Sequence, residues 1–300
     1  MESCHVCKVM DAKPTKVLVT GANGQLGSRL MACGVDRHDV QLDGLTQADL
    51  DVCDREAVRK QVALLRPDVV IHCAAYTAVD AAESNEGEAH RVNAEAVAHV
   101  AEACVAEGAS MIHISTDYVF GLTEHRPLLP TDEVNPLGAY GRTKRAGELA
   151  FLESGVKGAV VRVAWLYDAE GKNFMNTMLN LAERHGALKV VDDQLGVPTA
   201  APLLAEGLLD MAARRTSMPQ GIWHFAHEGH ASWHGFAQEI MRVAQLDVPV
   251  EAVSSDAFPT AAHRPAWSVL DGGPLRKEMG WPGIHWTEAL QRCWELKKDV

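Results

Sequence analysis

A short apolar run that leads directly into a glycine-rich turn constrains the fold of this chain more than any other feature. Residues 16–20, KVLVT, are followed at residues 21–27 by GANGQLG, and a helical pattern begins there. In a GxxGxxG turn the first glycine permits the tight bend and the second lets the backbone approach a pyrophosphate. The third lets the helix pack closely on the strand. We therefore predict a strand–turn–helix unit that binds a dinucleotide.

Strand-like and helix-like segments alternate through the first half of the chain. The predicted strands are residues 16–20, 40–42, 69–72, 111–115 and 159–163. The predicted helices between them are residues 24–33, 55–65, 88–107 and 140–153. Alternation of this kind indicates βαβ crossovers and a parallel sheet, and continuous apolar strands indicate a sheet covered on both faces. The fold class predicted is therefore α/β, a Rossmann-type doubly wound parallel sheet.

The alternation becomes less regular beyond Trp165, where proline and glycine are more frequent. Predicted helices here are residues 174–185, 202–213, 232–244 and 287–297, and predicted strands are residues 189–191 and 222–225. We interpret residues 1–14 as a flexible N-terminal extension and residues 15–165 as an NAD(P)-binding domain. Residues 166–300 are interpreted as mainly a smaller, mixed α/β substrate-binding domain, with some segments returning to the first domain.

Composition restricts the partners. The net charge of −12 argues against nucleic acid, which is bound by clustered basic surfaces. No apolar run approaches the roughly 20 residues of a membrane span, and the opening MESCHVCKVM has no apolar signal region. We therefore expect a cytoplasmic protein with no membrane partner. Its seven cysteines are expected to be free thiols, and Cys4-His5-Val6-Cys7 to belong to the extension rather than to a zinc site.

Three further segments are candidates for contact with a nicotinamide cofactor. Asp43 follows Gly21 by 22 residues, the distance at which an acid usually binds the adenosine ribose and disfavours a 2′-phosphate. This favours NADH modestly without excluding NADPH; the alternative is a solvated loop aspartate. Leu50-Asp51-Val52 is predicted to flank the adenine. Ala74-Ala75-Tyr76 ends the third strand, where small residues allow close approach, although a simple strand-to-helix turn explains them equally well.

A catalytic set is predicted at Thr116, Tyr140 and Lys144. The spacing Tyr-x-x-x-Lys places both side chains on one helix face, and Thr116 ends the fourth strand. A carbonyl that accepts hydride becomes an alkoxide and requires a proton from a positioned acid. We expect Tyr140 to be that acid, with the Lys144 ammonium lowering its pKa and holding the nicotinamide ribose. Thr116 would donate a hydrogen bond to the substrate oxygen.

The motifs of the chain resemble those of the dTDP-4-dehydrorhamnose reductase family, within the extended short-chain dehydrogenases. They are GANGQLG (21–27), RPDVVIHCAAYTAVDAAE (66–83), VNAEA (92–96), STDYVFG (115–121), NPLGAYGRTKRAGE (135–148), GKNFMNTM (171–178), VVDDQLGVPT (190–199) and HRPAWSVLD (263–271). The resemblance implies NAD(P)H-dependent reduction of the C4 ketone of dTDP-4-dehydro-β-L-rhamnose to dTDP-L-rhamnose, a step of nucleotide-sugar and polysaccharide biosynthesis. It implies the catalytic set above and places Asp117 and Trp165 at the substrate. The predicted cofactor-binding set is Gly21, Asn23, Gly24, Gln25, Leu26, Asp43, Asp51, Val52, Ala74, Ala75, Tyr76, Asn93, Tyr140 and Lys144.

Several positions depart from the family pattern, mostly on the substrate side. His72 stands for an asparagine, Val163-Ala164 for Thr-Ser, and Trp267 for an asparagine. Some members bind magnesium between subunits through an acid where this chain has Arg29, so we expect no metal and at most a homodimer that is not metal-bridged. Two alternatives stay open. One is a reductase of another nucleotide-linked 4-keto-6-deoxy sugar, and the other is a non-catalytic regulatory subunit like that of methionine adenosyltransferase.

Overall fold

The structure is a computed structural model that describes residues 13–121 and 125–298. The strands are β1 (Thr15–Thr20), β2 (Val40–Leu45), β3 (Val69–His72), β4 (Ser110–Thr116), β5 (Gly158–Val163), β6 (Leu166–Tyr167), β7 (Leu188–Val191), β8 (Leu195–Gly196), β9 (Thr199–Ala200), β10 (Gly221–His224), β11 (Ala231–Ser232) and β12 (Val250–Val253). The helices are α1 (Gln25–Gly34), α2 (Arg55–Leu65), α3 (Val79–Ala82), α4 (Glu86–His90), α5 (Ala96–Glu107), α6 (Ala139–Glu153), α7 (Phe174–His185), α8 (Ala201–Ala213), α9 (Trp233–Ala244), α10 (Gly273–Met279) and α11 (Trp286–Lys298). A π-helical turn, Arg91–Glu95, joins α4 to α5. The Cys4–Cys7 segment of the predicted extension lies outside the described residues.

The central element is a parallel sheet, six-stranded within the described residues, in the order β10-β5-β4-β3-β1-β2. The predicted doubly wound fold is confirmed. The chain continues outward from β1 to β2 on one side and from β3 to β10 on the other, so the strand order reverses between β1 and β3. Ligands of open α/β sheets bind beyond the carboxyl ends of the strands at such a reversal.

Both faces of the sheet are buried, which is why its strands are apolar without alternation. Val17 and Val19 of β1 pack in one cluster with Leu26 and Leu30 of α1 and with residues of α8. Leu18 of β1 faces the opposite cluster, which α2 and α5 cover. The strand predicted at 222–225 is the edge strand β10, and helix α8 packs on α1, so both belong to the layers of the central sheet.

The clusters on the two faces of the sheet form the first core of the chain, and a separate apolar cluster, called the second cluster, is built from α7, α9 and α11. The starts of α7 and α9 are specified locally, because the Asn173 side chain accepts a hydrogen bond from Asn176 N and the Ser232 side chain accepts one from Gly235 N.

The sequence did not predict β6, β8, β9, β11, β12, α3 or α10. All are two to seven residues long, which is too short for a periodic pattern. In the described part of the chain, no helix is long and apolar enough to cross a membrane.

Candidate active site

A cleft of about 590 Å³ opens at the carboxyl edge of the central sheet. The GxxGxxG turn, the ends of β3 and β4, the start of α6 and the segment after β5 line it. Of the predicted site residues, those that line this cleft are Gly21, Asn23, Gly24, Gln25, Leu26, Asp51, Val52, Ala74, Ala75, Tyr76, Thr116, Asp117, Tyr140, Lys144 and Trp165. The sheet thus brings nearly the whole predicted set to one place.

The glycine turn is packed too tightly for side chains. Gly21 has a φ of +68°, and a Cβ there would lie 2.8 Å from Ala74 N. A Cβ on Gly27 would overlap the Gly21 carbonyl oxygen. Helix α1 starts at Gln25 with no side-chain cap from the described residues and no acid in its first turn. Its free N–H groups therefore suit a bound pyrophosphate.

Two predicted cofactor residues do not line the cleft. Asp43 lies within β2, opposite Leu18, because β2 continues to Leu45. Asn93 is fully buried behind the cleft: its Oδ1 accepts from Tyr76 N at 2.9 Å, and its Nδ2 donates to Tyr76 O at 3.1 Å. The geometry therefore gives Asn93 a positioning task, that of holding the segment at the end of β3.

The cleft wall near Asp51 includes residues that sequence reasoning missed. They are Gln47, Leu50, Cys53, Glu88, Arg91 and Val92, of which Leu50 and Val92 belonged to segments singled out beforehand. Arg91 donates to both carboxylate oxygens of Glu88, at 2.9 and 2.8 Å. Its position could have been read from the VNAEA motif, since Arg91 directly precedes it; Gln47 carries no sequence signal that we recognise.

The predicted catalytic side chains meet at the junction of β4 and α6. Tyr140 lies in the first turn of α6, and Lys144 follows one turn later. Lys144 Nζ donates to the Ile114 carbonyl of β4 at 2.6 Å. Thr116 Oγ1 donates to Asp117 Oδ1 at 3.0 Å. The ring of Tyr140 meets the ring of Tyr118 edge-on, with centroids 5.5 Å apart.

Burial controls the protonation of these groups. It raises the pKa of Tyr140 above its usual value, while interaction with the Thr116 hydroxyl opposes the rise. Burial lowers the pKa of Lys144 to about 8, and the negative charge of Glu148 opposes that change. It raises the pKa of Asp117 to about 6. The expected lowering of the Tyr140 pKa by Lys144 is not found, because desolvation by burial has the largest effect on the Tyr140 pKa.

A buried ion pair anchors α6 beneath the cleft. Arg162 of β5 donates to both oxygens of Glu148, from Nε at 2.7 Å and from Nη2 at 2.8 Å. Ser115 Oγ donates to Glu148 Oε1 at 2.7 Å, and Arg145 adds a further bond to Oε2. Glu148 and Arg162 are 0% and 1% exposed, so these bonds are shielded from water.

Three positions that depart from the family pattern take defined places outside the cleft lining. His72 is buried and shares a hydrogen bond of 2.8 Å with Thr20 Oγ1. Trp267 is nearly buried, and its Nε1 donates to the Arg126 carbonyl at 2.7 Å. Arg29 donates to both carboxylate oxygens of Asp168, at 2.9 and 2.6 Å, so a cation rather than an acid stands just after the glycine turn.

Comparison with known proteins decides the family. The protein-family model described as "RmlD substrate binding domain" matches residues 15–298 of the sequence. The chain belongs to this family. Among curated relatives, the RmlD-type chain is 42% identical to the dTDP-4-dehydrorhamnose reductase of Mycobacterium tuberculosis over 287 residues, 94% of this chain and 93% of that protein. The resemblance inferred from the motifs is confirmed.

Solved structures agree with that assignment. A dTDP-4-dehydrorhamnose reductase of Clostridium acetobutylicum superposes on the RmlD-type chain with a TM-score of 0.89 at 39% identity, covering 94% of this chain and 99% of that one. The enzyme of Bacillus anthracis, solved in complex with NADP, also gives 0.89, at 34% identity and the same coverage. The family fold therefore extends over nearly the whole chain.

Proposed function

We propose that this protein is an NAD(P)H-dependent reductase that converts dTDP-4-dehydro-β-L-rhamnose to dTDP-L-rhamnose. The observation that carries the proposal is the meeting of Thr116, Tyr140 and Lys144 in one cleft with the glycine turn. Curated relatives that carry the name of this enzyme align with the chain over more than nine-tenths of their own length. An intact redox centre favours catalysis over a purely regulatory function.

The residues present fit a nicotinamide dinucleotide. The uncapped start of α1 and the glycines at 21 and 24 would hold the pyrophosphate. Asp51, Val52 and the Ala74–Tyr76 segment would line the two ends of the dinucleotide. When bound, the reduced cofactor supplies the hydride that the C4 carbonyl accepts.

The side chains of the cleft supply the remaining chemistry. Tyr140 donates a proton from its hydroxyl to the C4 oxygen as negative charge develops there. Thr116 turns its hydroxyl from Asp117 to the same oxygen and stabilises the charge by hydrogen bonding. Lys144, fixed by the Ile114 carbonyl, provides the positive charge nearest this centre and binds the cofactor ribose. Asp117 and Trp165 contact the sugar.

We further propose that the enzyme accepts both NADPH and NADH. The argument for NADH depended on Asp43, which lies inside β2 and away from the cleft wall. Arg91 lines the cleft instead, and a guanidinium is suited to a ribose phosphate. A relative at 34% identity binds NADP. Comparable kcat/KM values for the two cofactors are expected; a hundredfold preference for either would contradict this.

The two parts of the chain are proposed to bind different ligands. We propose that residues 15–165 bind mainly the cofactor and residues 166–300 mainly the nucleotide sugar, with α8 and β10 completing the cofactor-binding layers. Any dimer would not be bridged by magnesium through position 29, because Arg29 is bound to Asp168.

Turnover tests the proposal directly. The purified protein is incubated with NADPH or NADH, dTDP-4-keto-6-deoxyglucose and its 3,5-epimerase, and the absorbance of the reduced nicotinamide is followed. Absence of turnover together with tight cofactor binding would refute the reductase and favour a regulatory protein. Turnover restricted to another nucleotide-linked 4-keto sugar would correct the substrate alone.

Replacement of one hydroxyl tests the centre. Tyr140→Phe is expected to lose turnover by at least about a hundredfold while cofactor affinity stays near that of the wild type. Tyr167→Phe is a matched control, because Tyr167 is fully buried in the second cluster and its hydroxyl has no partner within the described residues. Equal activity of the two variants would remove Tyr140 from its proposed place.

A further inference from the structure

Trp165 has a backbone conformation that its side chain disfavours. Its φ is +49°, in the left-handed region that bulky residues rarely adopt. It also lines the cleft beside Thr116 and Asp117. A residue in such a conformation persists only where its surroundings determine it, and such residues concentrate at functional sites. The contacts of the Trp165 ring show what determines it here.

The ring of Trp165 is held from a distant part of the chain. Trp233, the first residue of α9, stacks on it with ring centroids 3.6 Å apart and an interplanar angle of 8°. Trp233 is fixed in turn, since its Nε1 donates to Gln194 Oε1 at 3.2 Å and the Phe174 ring lies 4.6 Å away. One face of the Trp165 indole is therefore covered.

The opposite face of the same ring is also closely packed. A Cβ on Gly196 would lie 2.5 Å from Trp165 Cε2, so only glycine permits this approach. Gly196 belongs to β8, which pairs with β11 immediately before α9. The stack and the approach of β8 together leave the ring a single position. Trp165 lines the cleft, whereas Trp233 does not.

We propose that Trp233 is a positioning residue that fixes Trp165 as the apolar wall for the sugar of the substrate. The inference depends on the proposed reductase function, and it extends that function to a residue outside the cleft. Aromatic rings pack with well-defined geometry, and Trp233 and Gly196 hold the two faces of this indole. A ring held on both faces presents its free edge to the ligand in a fixed orientation. Without the stack, the backbone of Trp165 can relax and the wall moves.

Substitutions at residue 233 distinguish the loss of the ring stack on Trp165 from the loss of an apolar side chain. Trp233→Leu keeps an apolar side chain and removes the stack, and we expect the KM for the nucleotide sugar to rise about tenfold. The kcat should stay within about twofold and the NADPH affinity unchanged, because the redox centre is untouched. Trp233→Phe retains an aromatic face and should restore most of the wild-type KM. Gly196→Ala, which displaces the ring from its other face, should raise KM as Trp233→Leu does.

Stability is controlled with Trp294→Leu. Trp294 packs at the border of the same apolar cluster, and the ring contact found for Trp165 among the described residues is with Trp233, so Trp294→Leu should lower the melting temperature and leave KM alone. The stacked indoles are also expected to give an exciton couplet in the far-ultraviolet circular dichroism. Loss of that couplet in both Trp233→Leu and Trp165→Phe, but not in Trp294→Leu, would report the stack directly.

The two proposals fail in different ways. Absence of turnover in the wild type refutes the reductase, whereas calorimetric affinity for dTDP-L-rhamnose requires no turnover and tests the wall on the same variants. Weakened dTDP-L-rhamnose binding in Trp233→Leu with NADPH binding intact supports the inference. Unchanged binding after loss of the couplet, or an equal loss for both ligands, overturns it.

Discussion

Neutralising Glu148, a buried carboxylate paired with an arginine, is expected to destabilise the protein far more than neutralising an exposed carboxylate that also pairs with an arginine. Glu148 is fully buried and accepts bonds from Arg162, Arg145 and Ser115. In Glu148→Gln the Arg162 guanidinium keeps its charge and loses its partner. Removing one member of a buried pair costs about 3–5 kcal/mol. At about 2–3 °C per kcal/mol for a chain of this size, the melting temperature should fall by about 10 °C.

Helix α6 offers a matched control. Arg142 donates to both oxygens of Glu86 at 2.8 Å, and each side chain is 45% exposed. Glu86→Gln makes the same chemical change to the same kind of pair, and an exposed pair contributes about 1 kcal/mol or less. Urea unfolding and calorimetry of both variants measure the difference. Equal losses would refute the argument that burial decides the strength of these pairs.

The double variant separates the cost of an unpaired charge from the strength of the pair. Glu148→Gln combined with Arg162→Met removes the buried guanidinium together with its carboxylate, so it should recover part of the stability lost in Glu148→Gln. No recovery would place the loss in packing or in the bond from Ser115.

Three further outcomes follow from the same contacts. Because Lys144 has a pKa lowered to about 8, its ammonium is lost above that pH, and NADPH affinity should fall as pH rises through about 8; an unchanged affinity would contradict this. Gly27→Ala, whose Cβ would overlap the Gly21 carbonyl, should weaken NADPH binding by about a hundredfold or more, whereas Gly87→Ala, with no described atom within 4 Å of its Cβ, should not. Burial lowers the pKa of His72 to about 3, so below about pH 6.5 protons bind the unfolded chain in preference to the folded one. The free energy of unfolding should therefore fall by up to about 1.4 kcal/mol for each pH unit below 6.5. His72→Asn should reduce this fall between about pH 6.5 and 5.

The sequence predicted the centre of the fold well because the strands β1, β3, β4 and β5 are buried on both faces and read as mainly apolar runs. It missed β6, β8, β9 and β11, two-residue strands whose pairing depends on distant segments. Asp43 was misplaced for a related reason. A count from Gly21 cannot tell where β2 ends, and β2 runs two residues past Asp43. Motif spacing thus predicts which residues meet only where the element boundaries are known.

Helix α6 explains why the catalytic pair needs more than its own motif. Tyr140, Lys144 and Glu148 follow one another at intervals of four and share one buried face. Lys144 binds the Ile114 carbonyl, and Glu148 binds Ser115, so two successive residues of β4 hold the helix immediately before Thr116. The position of the Tyr140 hydroxyl relative to the Thr116 hydroxyl is therefore set by bonds one and two turns away. Substitution at Glu148 should accordingly reduce kcat as well as stability, even though Glu148 contacts neither substrate nor cofactor.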